Sequence, residues 1–127
     1  MASTSLAMLN PCTSASFTTP DLFGANFISL SINLVTKYTF PIPDDWRYSQ
    51  PSESVVDATF CYVTVPCTHP GQNDTIYLET RLPTTNYNGI LKSSGGGGWV
   101  AERLIIAYDG MIGAIADGML LSSQTLV

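Results

Sequence analysis

The hydrophobic residues of this chain keep one period up to a run of four glycines, Gly95-Gly96-Gly97-Gly98, and a different one after it. Before the run the period is two. Ile28, Leu30, Ile32 and Leu34 alternate with Ser29, Ser31 and Asn33. Val55 to Val65 is β-branched and aromatic, and Ile76, Leu78, Thr80 and Leu82 alternate with Tyr77, Glu79 and Arg81. These segments predict three strands, the third with one wet face. Pro66 to Asp74, with its Pro-Gly and Asn-Asp pairs, turns the second strand back into the third as an antiparallel pair. Asn88-Gly89 opens another short apolar strand at Ile90-Leu91, which runs into the glycines. After them Leu104, Ile105, Tyr108, Ile112 and Ile115 recur at three and four residues, predicting a helix over 100–116 that Gly118 stops. A further strand begins at Met119. Residues 1–24 read as an irregular Ser/Thr/Pro-rich lead-in, and the Pro-rich Thr39 to Ser54 as a surface loop.

Length allows one domain: 127 residues, or 25–127 once the lead-in is set aside. Charged residues are 12% of the chain, about half the usual share, which excludes a disordered polyelectrolyte and a charged coiled coil. The net charge is −5, and the five basic residues are scattered singly, so no patch exists to neutralise phosphates and nucleic acid is excluded as a partner. No apolar run reaches the 18 residues of a membrane helix, so no membrane partner is expected. Met1 to Asn10 has neither the basic start nor the apolar core of a signal peptide.

Three cysteines, Cys12, Cys61 and Cys67, fit no zinc spacing, and His69 is the single histidine, so no metal site is expected. In an oxidising compartment they leave one disulfide and one thiol. Cys12–Cys61 closes a long loop and is preferred; Cys61–Cys67 closes a tight turn, and three reduced thiols is the remaining option. Ser and Thr make up about a fifth of the chain, and Asn73-Asp74-Thr75 is an N-glycosylation sequon, so Asn73 is a candidate glycan acceptor.

A glycine run between a strand and a helix has a chemical use. Its N–H groups can approach an anion closely, and they stand at the positive end of the helix dipole. A phosphate-binding loop is disfavoured, because Lys92-Ser93-Ser94 precedes the glycines instead of following them. The oxyanion of acyl transfer and a plain flexible linker remain as readings. Of the other polar groups, Ser93-Ser94 reads as a pair of loop serines, and Asp44-Asp45 as a solvated turn. Asp109 and Asp117 read as solvent-facing or capping groups. Asp57 and Glu79 read as ordinary ion-pair partners of Arg81 or Arg47.

Collinear motifs carry a resemblance. Pro11-Cys12-Thr13-Ser14-Ala15-Ser16-Phe17, Asp57-Ala58-Thr59-Phe60-Cys61, Thr68-His69-Pro70-Gly71-Gln72-Asn73-Asp74, Leu82-Pro83 with Tyr87-Asn88-Gly89, and Gly95-Gly96-Gly97-Gly98-Trp99 together resemble the fungal tannase and feruloyl esterase family over about residues 11–118. The resemblance implies an α/β fold: a truncated α/β-hydrolase-like arrangement with an N-terminal β-rich segment, a glycine-rich loop and one helix. It implies a secreted serine carboxylic ester hydrolase acting on phenolic esters, tannin gallate or feruloyl esters. It also makes Gly97, Gly98 and Trp99 the backbone N–H donors of the oxyanion loop, with Trp99 lining an acyl pocket or anchoring the loop.

The chain departs from the family where catalysis resides. It holds no Cys-Ser-x-Gly-Gly elbow and none of the family's later Asp and His, and the resemblance does not make His69 a base. The family's calcium ligands fall beyond residue 127, so no cofactor is expected in this chain. From Met119 on, Leu120 to Val127 does not follow the family's polar Thr-Asp-x-Gly continuation. The expectation is therefore the N-terminal portion of an esterase, inactive alone, its sheet left with an open edge. The alternative is a non-catalytic, β-rich, secreted binding module.

Overall fold

The computed structural model describes residues 12–43, 52–95 and 105–126. The strands are β1 (Asn26–Phe27), β2 (Ser31–Ile42), β3 (Glu53–Thr68), β4 (Ile76–Pro83), β5 (Leu91–Ser94) and β6 (Leu120–Leu126), with one described helix, α1 (Ile105–Ala116), between β5 and β6. A single turn of 3₁₀ helix at Ser14–Ser16 interrupts the lead-in. All six strands join one sheet. β1 and β2 both pair with one side of β3, and the order continues β3, β4, β6, β5.

These elements correct the expected fold class. An α/β architecture requires helices alternating with parallel strands. Here the described residues are mostly strand with a single α-helix, and no α/β-hydrolase arrangement is seen. Every described pairing is antiparallel except β5 with β6, where α1 makes the one parallel crossover. The class is mostly β, with a mixed sheet and a helix against it. The physical reason is the length of β2 and β3: β-branched and aromatic residues continue past the expected ends, so Pro41 and Ile42 belong to β2 and Glu53 already to β3. Of the surface loop expected over 39–54, residues 39–42 and 53–54 are strand instead, and residues 44–51 lie outside those described.

The ladder decides which residues share a face. Phe60, Tyr62 and Thr64 on β3 stand opposite Pro83, Arg81 and Glu79 on β4, and this is the side toward α1. Ile112 and Ile115 of the helix pack there against Ile42, Val55 and Phe60. Met111 and Ala114 pack with Leu121 of β6. Residues 111–115 are all buried, so this half of α1 is enclosed on more than one side.

Cys61, Val63, Val65 and Leu82 point to the opposite face, where the lead-in covers them with Phe17, Phe27 and Leu30. The disulfide fastens that cover: Cys12 is bonded to Cys61, with Cα atoms 5.5 Å apart. Cys67, free and buried, lies on the same face farther along β3.

The end of α1 is fixed by a backbone motif. Gly118 has φ +70, Gly118 N donates to Ile115 O at 3.0 Å, and Met119 N donates to Ala114 O at 2.7 Å. This Schellman ending leaves no room for a side chain, because a Cβ on Gly118 would fall 2.2 Å from the carbonyl oxygen of Asn86. Asn88 completes the junction: its N donates to Gly118 O at 2.9 Å, and its side-chain amide donates to Asp117 O at 2.7 Å.

Candidate functional site

The expected oxyanion donors, Gly97, Gly98 and Trp99, lie outside the described residues, as do Asp44, Asp45, Arg47 and the side chain of Asp109. What is described is the frame on either side. β5 ends at Ser94, opposite Ser123 of β6, and Gly95 follows at an exposed position. The chain then returns as α1 from Ile105. The glycine segment thus leaves the sheet at the carboxyl end of a parallel strand and leads into a helix. Ser93 and Ser94 are strand residues, not loop residues. Ser93 is exposed, and the Ser94 hydroxyl lies 3.8 Å from where a Cβ on Gly110 of α1 would stand.

Under the helix side of the sheet sits a buried polar set. Glu79 is 1% exposed, Arg81 8% and Ser123 4%. The Tyr62 hydroxyl donates to Glu79 Oε1 at 2.5 Å. The Arg81 guanidinium lies 5.7 Å from the ring centroids of both Phe60 and Tyr62. Its Nε and Nη1 are buried without a hydrogen-bond partner. The alternation of β4 led to the expectation of a wet face here, and the structure corrects it. Charged residues at every second position read as solvated when nothing in sequence says that a helix more than 20 residues later covers them. No ion pair joins Asp57 to Arg81 among the described residues. Arg81 is held between rings instead.

His69 and Asp74 form a tight ionic contact. Asp74 Oδ2 lies 2.5 Å from His69 Nδ1, and an ionised carboxylate only accepts, so Nδ1 carries the proton. Asp74 Oδ1 accepts from His69 N at 2.8 Å and from the Thr68 hydroxyl at 3.0 Å. Hydrogen bonds from His69 hold the Asp74 carboxyl at about 2, below the ordinary 3.8. The arrangement closes the β3–β4 turn, and Asn73 sits exposed at its tip with φ 54. Burial, and secondarily Asp74, raises the Cys67 thiol above its usual range, so it is a poor nucleophile.

A concavity of about 340 Å³ opens where β3, the segment after β4 and the end of α1 meet. Its polar walls are Ser54, Asp57, Thr59, Thr85 and Asn86. Sequence reasoning missed it, because it depends on irregular pairing. Two register shifts between β2 and β3 put Lys37 (φ 55) and Asp57 (φ 52) in the left-handed region. Asp tolerates that conformation better than most residues, and the Thr39 hydroxyl accepts from Asp57 N at 3.1 Å. An Asp between two apolar residues in a strand-like run was the only available signal.

Among the described residues, no group of His, Cys, Asp and Glu could hold a metal ion. No described helix is long and apolar enough to cross a membrane. The disulfide is compatible with an extracellular location. Compared with protein-family models, characterised proteins and solved structures, the chain matches none.

Proposed function

We propose that this chain is the N-terminal part of a secreted serine carboxylic ester hydrolase acting on phenolic esters of the gallate or ferulate kind, and that it supplies oxyanion donors without supplying the nucleophile. The observation that supports this reading is the order of one unit: parallel strand β5, glycine run, helix α1, parallel strand β6. Backbone N–H groups in such a segment can face the oxygen of a tetrahedral intermediate, and loss of one such donor costs about 2.7–4 kcal/mol of transition-state stabilisation. Gly97, Gly98 and Trp99 take that role in the proposal. The chain contributes no residue to the Ser-His-Asp set. In the same proposal the protein passes through an oxidising compartment, where Cys12–Cys61 forms and Asn73 receives a glycan.

The test is hydrolysis of methyl gallate and methyl ferulate by the product of the complete transcript, beside the 127-residue chain. The reading requires turnover by the former and none above buffer by the latter. Turnover by the 127-residue chain, or none by a complete product containing a serine elbow, overturns it.

A second reading, a non-catalytic β-rich binding module, is supported by the polar concavity beside Asp57.

A further inference from the structure

We infer that the concavity at the end of α1 is a binding site for a neutral, hydroxyl-rich ring, a monosaccharide-sized polyol. The inference is independent of the esterase reading, because it uses none of the residues assigned to the oxyanion loop.

The volume, about 340 Å³, lies in the range of small-molecule sites and admits one pyranose ring. The chemistry of the walls narrows the class. Among the lining residues, Ser54, Thr59 and Thr85 carry hydroxyls, Asn86 an amide and Asp57 a carboxylate. None of these side chains makes a hydrogen bond or ion pair with another described residue. The helix adds one more acceptor. Of the carbonyls in its last turn, those of Gly113, Ala114 and Ile115 accept from Asp117, Met119 and Gly118, and no described backbone donor takes that of Ala116, which lines the concavity. The lining residues therefore carry a strong acceptor, the Asp57 carboxylate, and a backbone carbonyl at Ala116 with no described backbone donor, beside groups that both donate and accept. A vicinal diol asks for this combination, since each hydroxyl donates once and accepts from a neighbour. Val56, 71% exposed on the rim, gives the C–H face of a ring an apolar surface.

Other ligand classes fit less well. Among the described lining residues there is no lysine or arginine, and the Asp57 charge and the negative end of α1 both repel anions, so a phosphate or carboxylate ligand is disfavoured. An organic dication needs more than one carboxylate, and Asp57 is the only one among the described lining residues. The backbone also favours a preformed site. Asp57 is held at positive φ by the double register shift and by Thr39, so its carboxylate is placed without the ligand.

The experiment is a two-dimensional amide NMR titration of the oxidised 127-residue chain with glucose, galactose, mannose and N-acetylglucosamine, and separately with putrescine. The expected result is saturable shifts with at least one sugar, confined to residues 54–59, 85, 86 and 116, with a dissociation constant on the order of millimolar. Asp57→Asn keeps a residue that accepts positive φ, and Asn86→Ala changes a different element. Each should weaken binding about tenfold or more while the rest of the spectrum is unchanged. Absence of saturable shifts up to about 100 mM sugar overturns the inference. So does binding of putrescine alone, or sugar binding that both variants leave intact.

Discussion

Replacing Tyr62 with phenylalanine isolates one interaction in the buried polar set. The hydroxyl donates to Glu79 Oε1 at 2.5 Å, and Glu79 is 1% exposed, so water cannot replace the lost donor without opening the sheet–helix interface. Phenylalanine retains the ring that lies 5.7 Å from Arg81, so the guanidinium keeps its aromatic neighbour and no cavity forms. The effect is then that of one hydrogen bond to a buried carboxylate, about 1.5–3 kcal/mol. For a domain of this size that lowers Tm by roughly 5–12 °C. Equilibrium urea unfolding followed by far-UV circular dichroism measures it directly, with the slope of the transition unchanged. Tyr77→Phe serves as the control: Tyr77 is a half-buried β4 tyrosine on the same face as Glu79, two residues away, whose hydroxyl makes no hydrogen bond to Glu79 among the described residues, and the expected change is within about 0.5 kcal/mol. A loss below about 0.5 kcal/mol for Tyr62→Phe would refute the claim that this hydrogen bond stabilises the fold.

Three further outcomes follow from the geometry. Asp74 titrates at about 2 in the folded chain against an ordinary 3.8, so its contribution is fully present above about pH 4 and is lost as pH falls from 4 toward 2; Asp74→Asn should flatten the urea midpoint over that interval. Gly118→Ala should destabilise by about 2 kcal/mol or more, since φ is +70 and the new Cβ meets Asn86 O at 2.2 Å, whereas Gly110→Ala in α1 meets only the Ser94 hydroxyl at 3.8 Å and should stabilise by about 0.5–1 kcal/mol. Both are read from chemical denaturation. Reducing the Cys12–Cys61 disulfide, which spans 49 residues, should remove roughly 2–4 kcal/mol, and Cys67 should react with a thiol reagent only as the chain unfolds.

The parts of the fold legible in sequence are those set by local period. The alternation at Val55–Val65 and Thr75–Leu82 marks β3 and β4, and Gly118 marks the end of α1; of the turn expected over Pro66–Asp74, only the part after Thr68 turns, since Pro66, Cys67 and Thr68 still belong to β3. The preferred cysteine pairing, chosen because it closes a long loop, is the bond observed. What was not legible depends on contacts between distant segments. Glu79 and Arg81 read as solvated because their cover, α1, is chosen by tertiary packing and not by β4 itself. The α/β expectation came from family resemblance and gave way to the amount and pairing of strand. The concavity beside Asp57 required two register shifts, which no residue period announces. Of the candidate site residues, Asn73 is exposed at a turn tip and the cysteines are bonded as preferred, while the glycine donors belong to residues 96–99, outside those described.

The esterase reading is tested most directly by sequencing the transcript through and beyond the Val127 codon and reading all three frames. The account predicts a Cys-Ser-x-Gly-Gly elbow, followed by an Asp and a His, in one of those frames. A transcript with no such elbow in any frame would contradict it.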